Sequence, residues 1–300
     1  MTDGGNAPGP VGEMEWRPKV TALVPCYNAE DFIQRTLDSL AAQTWPNLEI
    51  LIGDDCSTDS TLKIVERFAA TRANVRVAPR DSNLGWLRNS NDLMAQAHGE
   101  LMFFAFHDDV VAPTYVERLA HELSARPNAI IAFSDVEVID LDGSSSIYAF
   151  TSLTNVTGAI RRAAAFLTGA NWWVPNRGLF RAEAFHRIGG IMPNDCGEYS
   201  ADHTWLLHMA LLGDFVRTPE VLCWKFFKRG SLSKRWACGS EQNAAIRKAT
   251  MREIRRSDLP RYQKWLIASI ITVYHRLPQN TRSTLKSAAL RLLSAGDPKP

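Results

Sequence analysis

Between residues 19 and 135 short apolar runs alternate with segments of helical period, and this alternation constrains the fold more than any other feature of the chain. Strands read at "VTALVPCYN" (20–28), "LEILIGDD" (48–55), "VRVA" (75–78), "LMFFAF" (101–106) and "AIIAFSD" (129–135). Between them lie "AEDFIQRTLDSLAAQ", "TLKIVERFAA" and "RNSNDLMAQAHG", the first placing Phe32, Ile33, Leu37 and Leu40 on one helical face. Asn28 stands where this helix needs an N-cap, Gly99 where the third should stop, and Pro113 at the first turn of the next. Such a pattern predicts an α/β fold, a Rossmann-like, mostly parallel sheet flanked by crossover helices. Past residue 140 the alternation weakens until "ADHTWLLHMALLG" (201–213) resumes helical period, and the last sixty residues read as helices without strands.

With 45% apolar residues, a chain of 300 suits one large domain or two coupled ones. Residues 1–18, rich in Gly and Pro, read as a flexible leader and not as a signal or anchor. The longest apolar run, "WLIASIITVY" (265–274), falls short of the ~20 residues a spanning helix needs. The five cysteines form no CxxC pair and read as reduced thiols. Charge is uneven: residues 225–300 carry 17 Lys/Arg against 4 Asp/Glu, a net +13, whereas residues 1–224 carry 17 against 28.

In an open parallel sheet, ligands bind beyond the carboxyl ends of the strands. Those ends read "PCYN" (25–28), "DDCSTD" (54–59) and "HDDV" (107–110), gathering five carboxylates and Tyr27 on one rim. One acidic turn is ordinarily a helix cap, but several in one layer suggest a shared task. Neither GxGxxG nor GxxxxGK[ST] occurs, so neither a glycine-turn dinucleotide site nor a P-loop is indicated. Carboxylates repel phosphate directly but hold it through a hard cation, so adjacent aspartates point to Mn²⁺ or Mg²⁺ beneath a diphosphate. An acidic rim also argues against nucleic acid as a partner.

Three stretches, "VTALVPCYNAEDFIQRTLDSLAAQTWPNLEILIGDDCSTDST", "NLGWLRNSNDLMAQAHGELMFFAFHDD" and "ADHTW", resemble glycosyltransferase family 2, inverting nucleotide-sugar enzymes of the GT-A fold. The resemblance runs over roughly residues 19–236. It implies a nucleotide-sugar-binding half over 19–135, an acceptor-binding half over 136–238 and a basic helical C-terminal extension over 239–300. It further implies that Pro25 and Tyr27 pack on the nucleotide base, that Asp55 hydrogen-bonds the base, and that Arg88 lies near base and phosphates. Asp108 corresponds to the acid nearer the ribose, Asp109 to the metal ligand, and Asp202 to the general base on the acceptor hydroxyl. Inversion by one in-line displacement needs such a base opposite a stabilised leaving diphosphate.

Two departures from the family pattern bear on chemistry. Ala201 precedes Asp202 where a glutamate is usual, so its support falls to Glu198 or His203. Lys228 stands where a closing-loop histidine would, leaving Lys228, Arg229, Lys234 and Arg235 either as clamps on the leaving diphosphate or as a solvated basic loop. Leu232 replaces the glutamine of the processive QxxRW signature, which predicts single-sugar transfer.

Trp172 and Trp173 offer either a sugar platform or core packing. His107 reads as a strand-end residue satisfying backbone groups. In the tail, cations interleave with Trp265, Ile267, Ile270, Ile271, Leu290 and Leu292, which suits a helical cap or peripheral contact with an anionic membrane. The expectation is a cytoplasmic enzyme at the inner membrane face, taking a nucleotide-diphosphate sugar as donor and a glycan or lipid-linked hydroxyl as acceptor in cell-surface polysaccharide synthesis. Two other readings stand beside it: a glycoside hydrolase using Asp109 and Asp202 as its acid pair, and a non-catalytic nucleotide-sugar or carbohydrate-binding module.

Overall fold

A computed structural model describes residues 16–227 and 239–276. Its first half is built as the alternation predicts. Strand β1 (Val20–Cys26) lies parallel between β2 (Leu48–Asp54) and β4 (Leu101–Phe104), and β3 (Val75–Val77) extends the block beyond β2. Helices α1 (Ile33–Ala41), α2 (Thr61–Ala69) and α3 (Trp86–Gln96) make the crossovers. Every residue of β1 and β2 is buried, as expected of strands covered on both faces. Ile33, Leu37 and Leu40 of α1 are buried together, each worth roughly 1.5–3 kcal/mol of apolar burial.

The sheet then changes character. Past β4 come β8 (Leu179–Arg181), β6 (Ala129–Ile139), β9 (Asp214–Phe226) and β5 (Asp109–Val111), with β7 (Ser145–Tyr148) beside β6. β8 pairs antiparallel with both β4 and β6, β5 pairs antiparallel with β9, and β6 and β9 run parallel. Helix α4 (Tyr115–Ala125) links β5 to β6. α5 (Ala159–Thr168), a 3-10 turn (Val174–Arg177), α6 (Ala182–Ile188) and α7 (Ala201–Leu212) fill the second half, and α8 (Ser240–Arg256) and α9 (Arg261–Arg276) follow it.

Strands β5 and β7 to β9 escape the sequence pattern. β5 has only three residues, and β9 carries Pro219, which cannot donate to a ladder. The β6 ladder steps from Ser134↔Thr218 to Asp135↔Val221, so Pro219 falls in a bulge where no pairing is lost. Asn28 does not cap α1, whose first turn begins beyond Phe32; its Oδ1 accepts from Thr58 N at 2.9 Å and ties two strand exits together. Gly99 lies past the end of α3, where a Cβ would sit 2.6 Å from the Thr21 nitrogen of β1.

α8 is a working part of the core. Its Glu253 accepts from the buried His208 of α7, the Nδ1 to Oε2 distance being 3.0 Å, and from Arg252 and Arg256. Burial pushes the Glu253 carboxyl up, but these partners outweigh it and hold it below its ordinary value.

Candidate active site

Because β1, β2 and β4 are parallel and paired in register, their carboxyl ends share one edge. Two of the acids there serve turns. Asp54 accepts from Ser57 N and Oγ at 3.0 and 2.6 Å, and Asp59 from Thr61 N at 2.9 Å. Asp55 reaches further: it is buried, and its two oxygens accept from Leu84 N and Gly85 N at 2.8 and 2.9 Å. Gly85 has φ +85°, and a Cβ there would lie 2.5 Å from Glu198 Oε1, so only glycine fits. Glu198 Oε1 in turn accepts from Leu87 N at 3.3 Å, and burial pushes its carboxyl up. Pro25 is buried with its carbonyl 3.2 Å from His107 Nδ1, Tyr27 is 41% exposed, and Arg88 is exposed on the first turn of α3.

The adjacent aspartates are fixed from two sides. Thr36 Oγ1 of α1 donates to the carbonyls of His107 and Asp109 at 3.1 and 2.7 Å, while Phe226 N of β9 donates to Asp108 O at 3.1 Å. Lys225 Nζ lies 3.6 Å from Asp108 Oδ2. Asp109 is 2% exposed, and its Oδ2 accepts from Arg177 Nε at 2.6 Å. Its Oδ1 is buried and, among the described residues, has no hydrogen-bond partner. Burial pushes the Asp109 carboxyl up despite the pull of Arg177 and Lys225; the carboxylate outweighs burial at Arg177 and keeps the guanidinium charged. Arg35 of α1 stacks 3.7 Å over the Phe226 ring, and its Nε and Nη2 are likewise unpartnered.

Asp202 stands in the first turn of α7, after Ser200 at φ +46°. Asn176 Nδ2 donates to its Oδ2 at 3.1 Å, and His203 N to its Oδ1 at 3.0 Å. Burial pushes the carboxyl up to about 6, against the opposing pull of His203 N–H and the Arg177 charge. The His203 ring turns aside, edge-on to Trp172 at 4.7 Å and near Phe166 at 5.2 Å, and burial lowers its pKa to about 4. Neither side chain offered as support for Asp202 bonds to its carboxylate: His203 contributes its backbone, and Glu198 serves the α3 terminus. Trp172 and Trp173 are half-buried, Trp173 lying against Tyr148 and 5.3 Å from the Arg177 guanidinium.

Two residues invisible to the sequence reading therefore organise the site. Asn176 and Arg177, neighbours in the 3-10 turn, hold Asp202 and Asp109 respectively. The available signal was a lone arginine in the apolar stretch "NWWVPNRGLF", since a cation buried there requires a carboxylate. Lys228, Arg229 and Arg235 lie outside the described residues. Among the described residues no three His, Cys, Asp or Glu side chains cluster as metal ligands.

Residues 21–175 match the model of "Glycosyl transferase family 2". TuaG of Bacillus subtilis, a glycosyltransferase named for teichuronic acid biosynthesis, is 30% identical over 46% of this chain and 56% of its own. The poly(ribitol-phosphate) beta-N-acetylglucosaminyltransferase TarS of Staphylococcus aureus is 38% identical over 31% of this chain and 17% of its own. The chain thus spans about half or less of the length of these relatives. The crystal structure of TarS residues 1–349 with UDP superposes at a TM-score of 0.65, with 21% identity over 88% of this chain and 73% of that one. A Pyrobaculum calidifontis mannosyltransferase in complex with GDP-Man and Mn²⁺ gives 0.57, with 21% identity over 95% of this chain and 78% of that one. These superpositions identify the fold as GT-A.

Proposed function

The chain belongs to glycosyl transferase family 2, and from that premise we propose that it moves one sugar, with inversion, from a nucleotide-diphosphate sugar to a hydroxyl acceptor in cell-surface polysaccharide synthesis. The observation that carries this reading is the pair of adjacent residues Asn176 and Arg177, which hold a base-like carboxylate and a buried acid on two sides of one short turn.

In the proposed roles Tyr27 offers a ring to the nucleotide base, Asp55 keeps two lone-pair sites for it beyond those used by Leu84 and Gly85, and Arg88 reaches toward the phosphates. Asp108 lies nearer the ribose. Asp202, with a pKa of about 6, is ionised at neutral pH yet basic enough to take the acceptor proton. Asn176 fixes which of its oxygens faces that proton.

A divalent cation fits the acidic pair in one respect: Asp109 Oδ1 is a buried carboxylate oxygen with no hydrogen-bond partner among the described residues, beside a second carboxylate. Mg²⁺ and Mn²⁺ sites of this kind use one or two carboxylates, the rest of the shell coming from phosphates and water. Asp109, with Asp108, would hold the ion, which would supply positive charge to the leaving diphosphate. Arg177, Lys225 and Arg35 bring further positive charge to the same place.

The hydrolase reading loses ground, because Asp109 is 2% exposed and committed to a buried ion pair with Arg177, whereas an acid pair of that kind must reach substrate and water. The test is thermal shift with a panel of nucleoside diphosphates and nucleotide sugars in Mn²⁺, followed by a transfer assay on the donor that stabilises. No stabilisation by any nucleotide overturns the proposal.

A further inference from the structure

Tyr115 opens α4 shortly after Asp109 in the chain, and the two residues grip Arg177 at opposite ends. Asp109 accepts from the Arg177 side chain at Nε, while the Tyr115 hydroxyl donates to the Arg177 main-chain carbonyl. That carbonyl closes the 3-10 turn Val174–Arg177, and the last carbonyls of a helix have no partner within it. Arg177 is buried, so its carbonyl needs a donor from elsewhere in the protein, and Tyr115 supplies one.

Both sides of this contact are held firmly. Tyr115 is 1% exposed, its ring lies 5.2 Å from that of Phe103 in β4, and Leu119 and Leu123 bury the same helix in the core. Gln43, just past α1, ties down the start of α4 by donating from Nε2 to Ala112 O at 2.7 Å and accepting from Val116 N at 3.1 Å. On the far side of the turn, a Cβ at Gly178 would lie 2.7 Å from Ile131 Cγ1 and 2.8 Å from the Ala132 carbonyl of β6. The turn is thus clamped between β6 and the Tyr115 hydroxyl.

The two side chains carried by the turn would answer a shift differently. Arg177 has a long stem and an ion pair to follow, so a small movement of its backbone can be absorbed. Asn176 has a short side chain whose Oδ1 is buried with no hydrogen-bond partner among the described residues. Apart from the bond to Asp202 Oδ2, the turn alone decides where its Nδ2 points.

We propose that Tyr115 is a positioning residue for transfer: by holding the Arg177 carbonyl, its hydroxyl sets the turn where Asn176 meets Asp202. It acts on the base only through that turn. The role rests on the transferase reading, which gives Asp202 its task.

The test is steady-state transfer by Tyr115→Phe, followed as release of nucleoside diphosphate from the donor that thermal shift selects, with sites counted by calorimetric titration with that diphosphate in Mn²⁺. Phenylalanine keeps the ring against Phe103 and removes only the donor. Per nucleotide-binding site, kcat should fall about 10- to 100-fold, the scale on which small misplacements of reacting groups register, while KM for the donor and Kd for the diphosphate stay within about twofold. In an Asn176→Ala background the same change should cost less than about threefold, because the link to Asp202 is already gone. Leu119→Ala, which loosens α4 but keeps the hydroxyl, should leave kcat per site within about twofold. An equal kcat loss in Leu119→Ala would make Tyr115 merely structural and overturn the proposal. Gly178→Ala crowds the turn from β6 with Tyr115 intact and should reproduce the kcat loss, so it remains decisive should Tyr115→Phe not fold. Full kcat in either variant, or an undiminished loss in the Asn176→Ala background, overturns the proposal while leaving the transferase reading in place. A wild-type chain that binds nucleotide but transfers from no donor overturns that reading and this role with it.

Discussion

Arg177 donates from Nε to Asp109 Oδ2 at 2.6 Å in an ion pair where both side chains are almost wholly buried. Removing one member leaves a desolvated charge, so Arg177→Met should cost about 3–5 kcal/mol, and Asp109→Asn a comparable amount. The double variant Arg177→Met/Asp109→Asn should cost clearly less than the two singles combined. Urea unfolding of the four proteins closes the cycle; additive losses would mean the pair is not coupled.

The Asp202 carboxyl, raised to about 6 by burial, gives a pH signature. Transfer needs the ionised form, so kcat/KM should fall as pH drops through about 6, with Asp202→Asn about 10²–10⁴-fold slower above that pH and lacking the fall below it. Stability moves the other way. A carboxyl whose pKa is raised on folding favours the native state below its unfolded value near 3.8, and that advantage is lost as pH rises through about 6. Asp202→Asn should therefore be as stable as the wild type at pH 7.5, or up to about 2 kcal/mol more so. A pH-independent rate above pH 4.5 would remove the base assignment.

Gly85 links Asp55 to Glu198. At φ +85°, with Glu198 Oε1 2.5 Å from any Cβ, Gly85→Ala should cost about 1–3 kcal/mol and displace the amides that hold Asp55. UDP affinity should fall with it. Glu198→Ala in the same background should recover part of the stability, as measured by thermal melts; no recovery would place the strain elsewhere.

The Glu253 carboxylate, held below its ordinary value by His208, Arg252 and Arg256, stabilises the α7–α8 contact above the unfolded value near 4.5. This contribution is lost as pH falls through the lower folded value. Glu253→Gln should lose about 3 kcal/mol at pH 7 and much less at acid pH, so the wild-type and variant melting curves should converge on acidification.

Divalent ion should govern nucleotide binding at Asp108 and Asp109. In Mn²⁺, UDP at about 100 times its Kd should raise Tm by about 5 °C, and EDTA should abolish most of that shift. Asp109→Ala should show the small shift in both conditions, whereas Asp202→Asn should keep the large one. An EDTA-insensitive shift in the wild type would assign the diphosphate to the cations alone.

How much of this was legible in the chain depended on the range of the interactions. The elements from β1 to α3 announce themselves because their periodicity is local, and the rim follows from topology. β9 was hidden by Pro219, a residue that argues against a strand unless a bulge spares its missing N–H. Asp55 was legible as an acid at a strand end, but its bonds to Leu84 and Gly85 were not, and Asp202 was visible only through family resemblance. Asn176 and Arg177 were missed because their partners lie 26 and 68 residues away, a distance no window of periodicity spans.

The parallel ladder between β6 and β9 sets a limit on how this molecule can be divided. The match to the family model ends at residue 175, before β8 and β9, so a fragment cut there would leave β4 and β6 with bare amide and carbonyl edges in water. Such edges recruit other chains. Anyone excising the recognisable stretch should expect inclusion bodies, and a usable expression boundary must lie beyond α8, where the last buried side chains that seal α7 are supplied.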